Sequence, residues 1–195
     1  ERIYVDEKIY DKFLELFISH TYNYKLGNPL DVDTNLGPVV KLSSAKFIRE
    51  QINTAIHQGA KKNIDDSRFN YPKEHGNYLI PQVLTNVTHD MNFMMEETFG
   101  PCVGIMKVKN EDEAVKLMND SPYGLTASVW TKDFGVAKKI GEQINTGTFY
   151  MNRCDYLDPG LSWTGVKDTG KGCSLSEIAY ENLTSPKSFH LKKEQ

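Results

Sequence analysis

The feature that most constrains the fold is an alternation of strands and helices in the second half of the chain. In chain order, the sequence predicts a strand over 103–108, a helix that starts at Asn110 with Glu113 in the manner of a capping box, a strand over 126–130, a helix over 134–144 and a strand over 148–151. This order is typical of βαβ units, because parallel strands need a helical crossover between them. We therefore expect an α/β fold with three layers, α/β/α, and a mostly parallel sheet.

Weaker signals of the same kind occupy the first half of the chain. A strand is predicted over 2–5, followed by a helix whose apolar face holds Ile9, Phe13, Leu16 and Phe17. A second helix is predicted to start after Ser43 or Ser44 as N-cap, to end at Gly59, and to bury Phe47, Ile48, Ile52, Ala55 and Ile56. Pro81 interrupts a predicted strand over 78–84, which should therefore lie at a sheet edge or change direction at the proline.

Composition excludes several classes of function. The 195 residues carry a net charge of −3, which argues against a nucleic-acid binder, and no apolar run is long enough to cross a membrane. The histidines lack metal-ligand spacing, so no metal site is expected. Three cysteines without a CxxC pair suit a reduced, intracellular protein, and we expect it to be cytoplasmic.

One short segment combines chemistry that a simple surface turn does not need. This acidic–aromatic segment reads Glu96-Glu97-Thr98-Phe99-Gly100-Pro101. A carboxylate can accept two hydrogen bonds from a diol such as a ribose, and a nearby aromatic ring offers a flat face to a planar ligand. The alternative interpretation is a surface acid pair beside a phenylalanine buried in the core.

A second segment, the glycine-rich loop over 147–172, contains five glycines in 26 residues. It follows the end of a predicted strand, where α/β domains place ligand contacts. It contains neither GxGxxG nor GxxxxGK[ST], so it does not predict a phosphate-binding loop. Near the C-terminus, Ser188–Lys192 predicts a short exposed strand that is either blunted by lysine or paired with another chain.

Together these segments resemble the aldehyde dehydrogenase superfamily, specifically its C-terminal catalytic domain. The resemblance rests on motifs in the family's order: Leu36-Gly37-Pro38, the acidic–aromatic segment, Ser121-Pro122-Tyr123-Gly124-Leu125-Thr126, Gly147-Thr148 and Asn152. It covers essentially the whole chain and implies one catalytic-type domain over 1–195. Residues 186–195 would form a C-terminal edge strand and tail that contacts a second subunit.

The resemblance also implies roles for individual residues. Glu97 resembles the carboxylate that holds the ribose hydroxyls on the nicotinamide side of the cofactor, and Phe99 resembles the aromatic residue that positions the nicotinamide. Asn152 begins the loop whose side chains, around Leu157 and Trp163, would line the aldehyde tunnel. The cofactor of the full-length enzyme would be NAD or NADP, and its substrate a small aldehyde.

The departures from the family pattern bear on activity. The nucleophilic cysteine would lie about four residues before Glu1, and none of Cys102, Cys154 or Cys173 matches it. The general-base glutamate, the oxyanion-hole asparagine and the N-terminal dinucleotide-binding domain also lie outside the chain. Residues 162–167 differ from the family's Pro-Phe-Gly-Gly-x-Lys, which leaves the substrate class open. No catalytic residue is assigned within the chain.

We therefore expect a fragment of an NAD(P)-dependent aldehyde dehydrogenase that is inactive alone and binds no cofactor tightly. Its partners would be the missing dinucleotide-binding domain and a second copy of the enzyme. Two alternatives remain open. The chain could be a non-catalytic remnant that serves as an interaction or oligomerisation module. It could also belong to a superfamily relative that transfers the acyl group to CoA or reduces acyl phosphates.

Overall fold

The computed structural model describes residues 2–154 and 156–193, which fall into two units, Glu1–Ala114 and Val115–Gln195. A single domain over the whole chain stays a prediction. Glu1, Asp155, Glu194 and Gln195 lie outside the described residues.

A four-stranded sheet organises the first unit. Its elements are, in chain order, β1 (Arg2–Asp6), α1 (Tyr10–Thr21), α2 (Leu42–His57), β2 (Lys61–Lys62), β3 (Gln82–Thr85), α3 (Asn92–Met95) and β4 (Cys102–Val108), with short 3₁₀ turns at Asp66–Arg68 and Lys73–His75. The strand order is β1-β4-β3-β2. The β1–β4 and β4–β3 pairs are parallel, and only the two-residue β2 is antiparallel to its neighbour.

Helices cover both faces of this sheet. Successive strand residues point to opposite faces. Leu84 accordingly packs with Ile48 of α2 and Met94 of α3, whereas Val83 packs with Tyr10 of α1. Burying each large apolar side chain stabilises the fold by about 1.5–3 kcal/mol. The predicted α/β/α layering with a mostly parallel sheet is therefore confirmed in this unit.

The face of α1 that packs into the core is rotated by about one residue from the face that the sequence predicts. Tyr10 and Thr21 are its buried residues, and Phe13 and Phe17 are half-buried, as expected for neighbours at a spacing of three or four. Ile9 and Leu16 are exposed, so their predicted burial is wrong. Ile9 precedes the first helical turn, and Leu16 lies beside the inward stripe rather than on it.

The helix α2 begins earlier than predicted, at Leu42, with Lys41 in the N-cap position. Ser43 and Ser44 therefore lie inside its first turn. Phe47 is 46% exposed and does not belong to the core, contrary to the prediction. The predicted end is confirmed, since Gly59 follows the C-cap with a φ of +109°, a conformation that glycine adopts without strain.

Pro81 does not place its strand at an edge. β3 starts at Gln82, after the proline, and lies between β4 and β2. The missing amide of Pro81 therefore removes no hydrogen bond from the ladder. The edge prediction is wrong because β3 begins only after Pro81 and does not include the first part of the predicted strand over 78–84.

The second unit contains the predicted strand–helix–strand unit. Its elements are α4 (Glu111–Asn119), across which the division between units falls, β5 (Tyr123–Gly124), β6 (Thr126–Val129), α5 (Phe134–Gly141), β7 (Thr148–Met151), β8 (Trp163–Thr164), β9 (Val166–Lys167), β10 (Cys173–Ser174) and α6 (Ile178–Leu183). β6 and β7 pair in parallel, with α5 as the crossover. The predicted βαβ arrangement over this stretch is confirmed.

The start of α4 behaves as the sequence predicts. The amide of Glu113 donates to Asn110 Oδ1 at 3.0 Å, and the amide of Lys109 donates to Glu113 Oε2 at 2.7 Å. These reciprocal bonds satisfy donors at the start of α4 that have no partner within the helix.

The C-terminal segment forms no strand within the part of the chain that the structure describes. Residues 184–193 belong to no helix or strand, and Phe189 and Leu191 are exposed. A strand needs a hydrogen-bonded neighbour, and the predicted strand over Ser188–Lys192 has none among the described residues. The last two residues of the predicted tail lie outside the described residues.

Candidate functional site

The acidic–aromatic segment connects α3 to β4 and presents two of its side chains to the surface. Phe99 is 80% exposed and Glu97 is also exposed, whereas Thr98 between them is buried. This exposure excludes the alternative interpretation, in which the phenylalanine belongs to the core. Exposure leaves the Phe99 ring accessible to a ligand or to a partner surface.

Glu97 and Phe99 share one open groove. The groove has a volume of about 360 Å³ and is lined by Ser43, Ser44, Phe47, Ile48, Glu97 and Phe99. The structure therefore brings together the two residues that the sequence singled out for the cofactor. It adds the first turns of α2, which the sequence did not indicate, since Phe47 was expected to be buried.

The side chains in the groove fit the nicotinamide half of a dinucleotide. Within its own unit, the Glu97 carboxylate makes no hydrogen bond or ion pair with a described residue, so both of its oxygens can accept hydrogen bonds. A vicinal diol of a ribose presents two such donors. The exposed ring of Phe99 offers an apolar face to a planar heterocycle.

The backbone of the segment is held close to the core. The amide of Gly100 donates to the Thr98 carbonyl at 2.9 Å, and the amide of Cys102 donates to the Gly100 carbonyl at 2.8 Å. At Gly100 an added Cβ would come within 2.7 Å of Ile48 Cδ1, closer than real Cβ contacts occur. Glycine at this position therefore lets the segment lie directly on α2.

In the second unit, Asn152 serves the local backbone. It follows β7 with a φ of +56°, a left-handed conformation that asparagine tolerates better than most residues. The amide of Thr131 donates to Asn152 Oδ1 at 2.9 Å, and Asn152 Nδ2 donates to the Thr131 carbonyl at 2.8 Å. Both ends of its side chain therefore tie the end of β7 to the residues after β6.

A cavity of about 210 Å³ lies beside β7. It is lined by Thr148, Phe149, Tyr150, Met151, Arg153, Tyr156, Asp158, Leu161, Ser162, Trp163 and Leu175. Of the three predicted tunnel residues, Trp163 is among the lining residues. Leu157 and Asn152 are not among them, and Leu157 is exposed. The lining is mainly aromatic and aliphatic, as in sites for small organic molecules.

Two cations of the glycine-rich loop make defined contacts. The Arg153 guanidinium lies 3.6 Å from the centre of the Tyr156 ring, a cation–π contact. The Lys167 ammonium donates to the carbonyls of Asn119 and Ser121 at 2.8 and 2.9 Å. These contacts give a loop with little regular structure a defined shape.

Glycines contribute to this shape through close backbone approach. An added Cβ at Gly147 would lie 1.6 Å from the carbonyl oxygen of Thr164. The backbone at Gly147, just before β7, therefore lies in direct contact with the backbone of Thr164, later in the glycine-rich loop.

Other kinds of site find no support in residues 2–154 and 156–193. No group of three or more histidine, cysteine, aspartate or glutamate side chains there is arranged to hold a metal ion. Cys102 is buried, Cys173 is half-buried and Cys154 is exposed. None of the described helices has the length and apolar character needed to span a bilayer.

Comparison with known proteins gives a consistent result. The model of the aldehyde dehydrogenase family matches residues 1–189. An aldehyde dehydrogenase of Emericella nidulans is 37% identical over 194 residues, which cover 98% of this chain and 38% of that protein. The chain therefore spans less than two fifths of the length of this relative.

Solved structures show the same correspondence. Betaine aldehyde dehydrogenase from Staphylococcus aureus, in complex with NAD⁺, matches with a TM-score of 0.84 at 32% identity, over 93% of this chain and 36% of that one. Succinic semialdehyde dehydrogenase from Streptococcus pyogenes, with NADP⁺ as the cofactor, matches with a TM-score of 0.81 at 30% identity, over 92% of this chain and 39% of that one.

Proposed function

The chain belongs to the aldehyde dehydrogenase family, and we propose that it forms part of the catalytic domain of an enzyme that oxidises an aldehyde to a carboxylic acid with NAD or NADP. In this proposal the chain contributes part of the cofactor site and part of the aldehyde tunnel. The nucleophilic cysteine and the general base come from outside the chain, so the chain alone is inactive.

The observation that carries the proposal is the shared groove of Glu97 and Phe99. Glu97 accepts hydrogen bonds from the ribose hydroxyls, and Phe99 supports one face of the nicotinamide ring. When bound, the nicotinamide accepts a hydride from the substrate. The two residues limit the positions that the ring can adopt, and this orientation is the contribution of this chain.

The cavity of the second unit forms part of the aldehyde tunnel in this proposal. Trp163 lines it, and Leu157 belongs to the rim that an incoming aldehyde meets first. Asn152 acts by holding the end of β7 through Thr131 rather than by touching the substrate. A mainly apolar lining lowers the water content around the substrate, which protects the reaction from competing hydrolysis.

Two partners complete the proposed enzyme. A dinucleotide-binding domain supplies the remaining contacts to the cofactor, which is why we expect only weak binding by this chain. A second copy of the enzyme pairs with the C-terminal segment over 186–195. The exposed Phe189 and Leu191 in that segment support this pairing, because apolar side chains of this size favour burial in an interface.

The cofactor site is tested by titrating nicotinamide mononucleotide, at millimolar concentration, into the ¹⁵N-labelled chain. We expect amide shifts confined to residues 43–48 and 97–100. Glu97→Gln should weaken binding about tenfold, because it removes charge-assisted hydrogen bonds. Glu96→Gln, which changes the neighbouring exposed carboxylate outside the groove, should leave binding unchanged.

Turnover provides the second test. The chain with NAD⁺ and an aldehyde should produce no NADH. In the titration, amide shifts centred away from the groove would contradict the cofactor assignment. Equal effects of Glu97→Gln and Glu96→Gln on nucleotide binding would also contradict it. Aldehyde oxidation by the purified chain would contradict its predicted inactivity.

A further inference from the structure

A buried polar pair lies directly beneath the groove. Thr98, only 4% exposed, donates from Oγ1 to Gln51 Oε1 at 2.8 Å. Gln51 lies on α2 and is 7% exposed. The two residues are 47 positions apart in the sequence. This hydrogen bond therefore joins the middle of the acidic–aromatic segment to the helix whose first turns form the opposite wall of the groove.

Stability alone does not explain this pair. Gln51 Nε2 is buried and has no hydrogen-bond partner among the described residues. A buried amide with one unsatisfied end costs free energy, and replacing both members of such a pair with apolar residues of similar shape can be neutral or stabilising. A pair that adds little stability but fixes one geometry is more consistent with a positioning role.

The geometry indicates what the pair positions. Side chains along residues 97–99 alternate in exposure, with Glu97 outward, Thr98 inward and Phe99 outward. Thr98 lies between these two residues in the chain, so holding its side chain inward restricts the orientations that are open to both neighbours. The Thr98 anchor therefore determines where the Glu97 carboxylate and the Phe99 ring lie relative to α2.

We propose that Gln51 is a positioning residue for nucleotide binding, which acts through Thr98 to orient Glu97 and Phe99. This inference rests on the proposed function, because it assumes that the groove receives the nicotinamide half of the cofactor. Gln51 itself does not touch the ligand.

The test uses the whole chain and separates binding from stability. In the double variant Gln51→Met/Thr98→Val, both polar partners become apolar residues of similar shape. We expect nicotinamide mononucleotide to bind about fivefold more weakly, while the urea midpoint of unfolding stays the same or rises. Thr98→Ser, which retains the hydroxyl, should keep binding close to that of the unmodified chain.

A matched control distinguishes positioning from general loosening. Val87→Ala removes methyl groups from the apolar cluster that contains Ile48, at a residue whose side chain approaches Gly104 of β4. It should lower the urea midpoint and leave nucleotide binding unchanged. Unchanged binding in the double variant, or weaker binding in proportion to lost stability in every variant, would overturn the inference.

A readout without nucleotide keeps this inference separate from the proposed function. Amide hydrogen exchange at Gly100 and Cys102, whose amides are hydrogen-bonded within the segment, should be faster in the double variant at unchanged global stability, and normal in Thr98→Ser. If the unmodified chain shows no groove shifts with nucleotide, the proposed function fails. The exchange data then decide whether Thr98 anchors the segment, and equal exchange rates in all variants would overturn that role.

Discussion

The two candidate segments are held in place by different physical means. The acidic–aromatic segment rests on buried side chains, since Thr98 bonds to Gln51 and Gly100 lies against Ile48. The glycine-rich loop is mostly exposed and depends on contacts to backbone groups, as at Gly147 and at the two carbonyls that Lys167 binds. Side-chain packing holds the short acidic–aromatic segment rigidly. Contacts to backbone groups set the path of the longer glycine-rich loop, so its side chains can be substituted without changing that path.

The largest effect is expected where two backbones touch. In Gly147→Ala, the new Cβ meets the carbonyl oxygen of Thr164, which cannot rotate away as a side chain could. We expect a loss of about 3 kcal/mol in the free energy of unfolding, measured by urea denaturation. Gly160→Ala is the control, since its nearest contact is the Asp158 carboxylate at 3.3 Å. Equal stability of the two variants would show that the backbone contact at Gly147 does not hold the glycine-rich loop in place.

A smaller effect should reveal the packing beneath the acidic–aromatic segment. Gly100→Ala forces a Cβ against Ile48 Cδ1, and Ile48→Val removes that atom. Each single variant should lose stability, and the double variant should lose about 1 kcal/mol less than the sum of the two. Strict additivity in a double-mutant cycle would show that the segment does not rest on α2. Gly100→Ala with Ile52→Val, on the same helix, serves as the control pair.

The smallest effect concerns an exposed turn in the first unit. Hydrogen bonds from the Ser67 hydroxyl and amide lower the pKa of Asp65, with help from Arg68 and Lys62. A lowered pKa in the folded state means that the contribution to stability is present above the unfolded pKa. It is lost as the pH falls through the folded pKa.

The unmodified chain should therefore exceed Asp65→Asn in stability at neutral pH, and the difference should shrink as the pH falls below about 4. Urea denaturation across this range measures the difference. Asp90→Asn, at another exposed position of the same unit, controls for a general change in net charge. A difference that grows on acidification would contradict the direction of the shift.

Local signals in the sequence predicted much of the fold. The bond between Asn110 and Glu113, the parallel pair β6 and β7 and the turn at Gly59 all depend on residues close together in the chain. The errors arose where tertiary packing decides. Phe47 has the spacing of a core residue, yet it lies in the wall of a groove formed with a segment 50 residues away.

The candidate site divides in the same way. Glu97 and Phe99 could be singled out because an acid pair beside an aromatic residue is unusual in a turn. Gln51 could not, because a glutamine in an amphipathic helix carries no signal of a partner 47 residues away. The bond of Asn152 to Thr131 was also invisible in the sequence, since it depends on the left-handed backbone at the end of β7.

The pairing of β1 with β4 has a consequence for how the first unit is synthesised. Arg2 lies opposite Gly104 and Asp6 opposite Val108, so the ladder joins the first residues of the chain to residues about a hundred positions later. Contacts this distant carry a large loop-closure cost and slow folding. Until β4 leaves the ribosome, β1 lacks this partner. During that interval the nascent chain exposes a β-forming edge that a second nascent chain can capture.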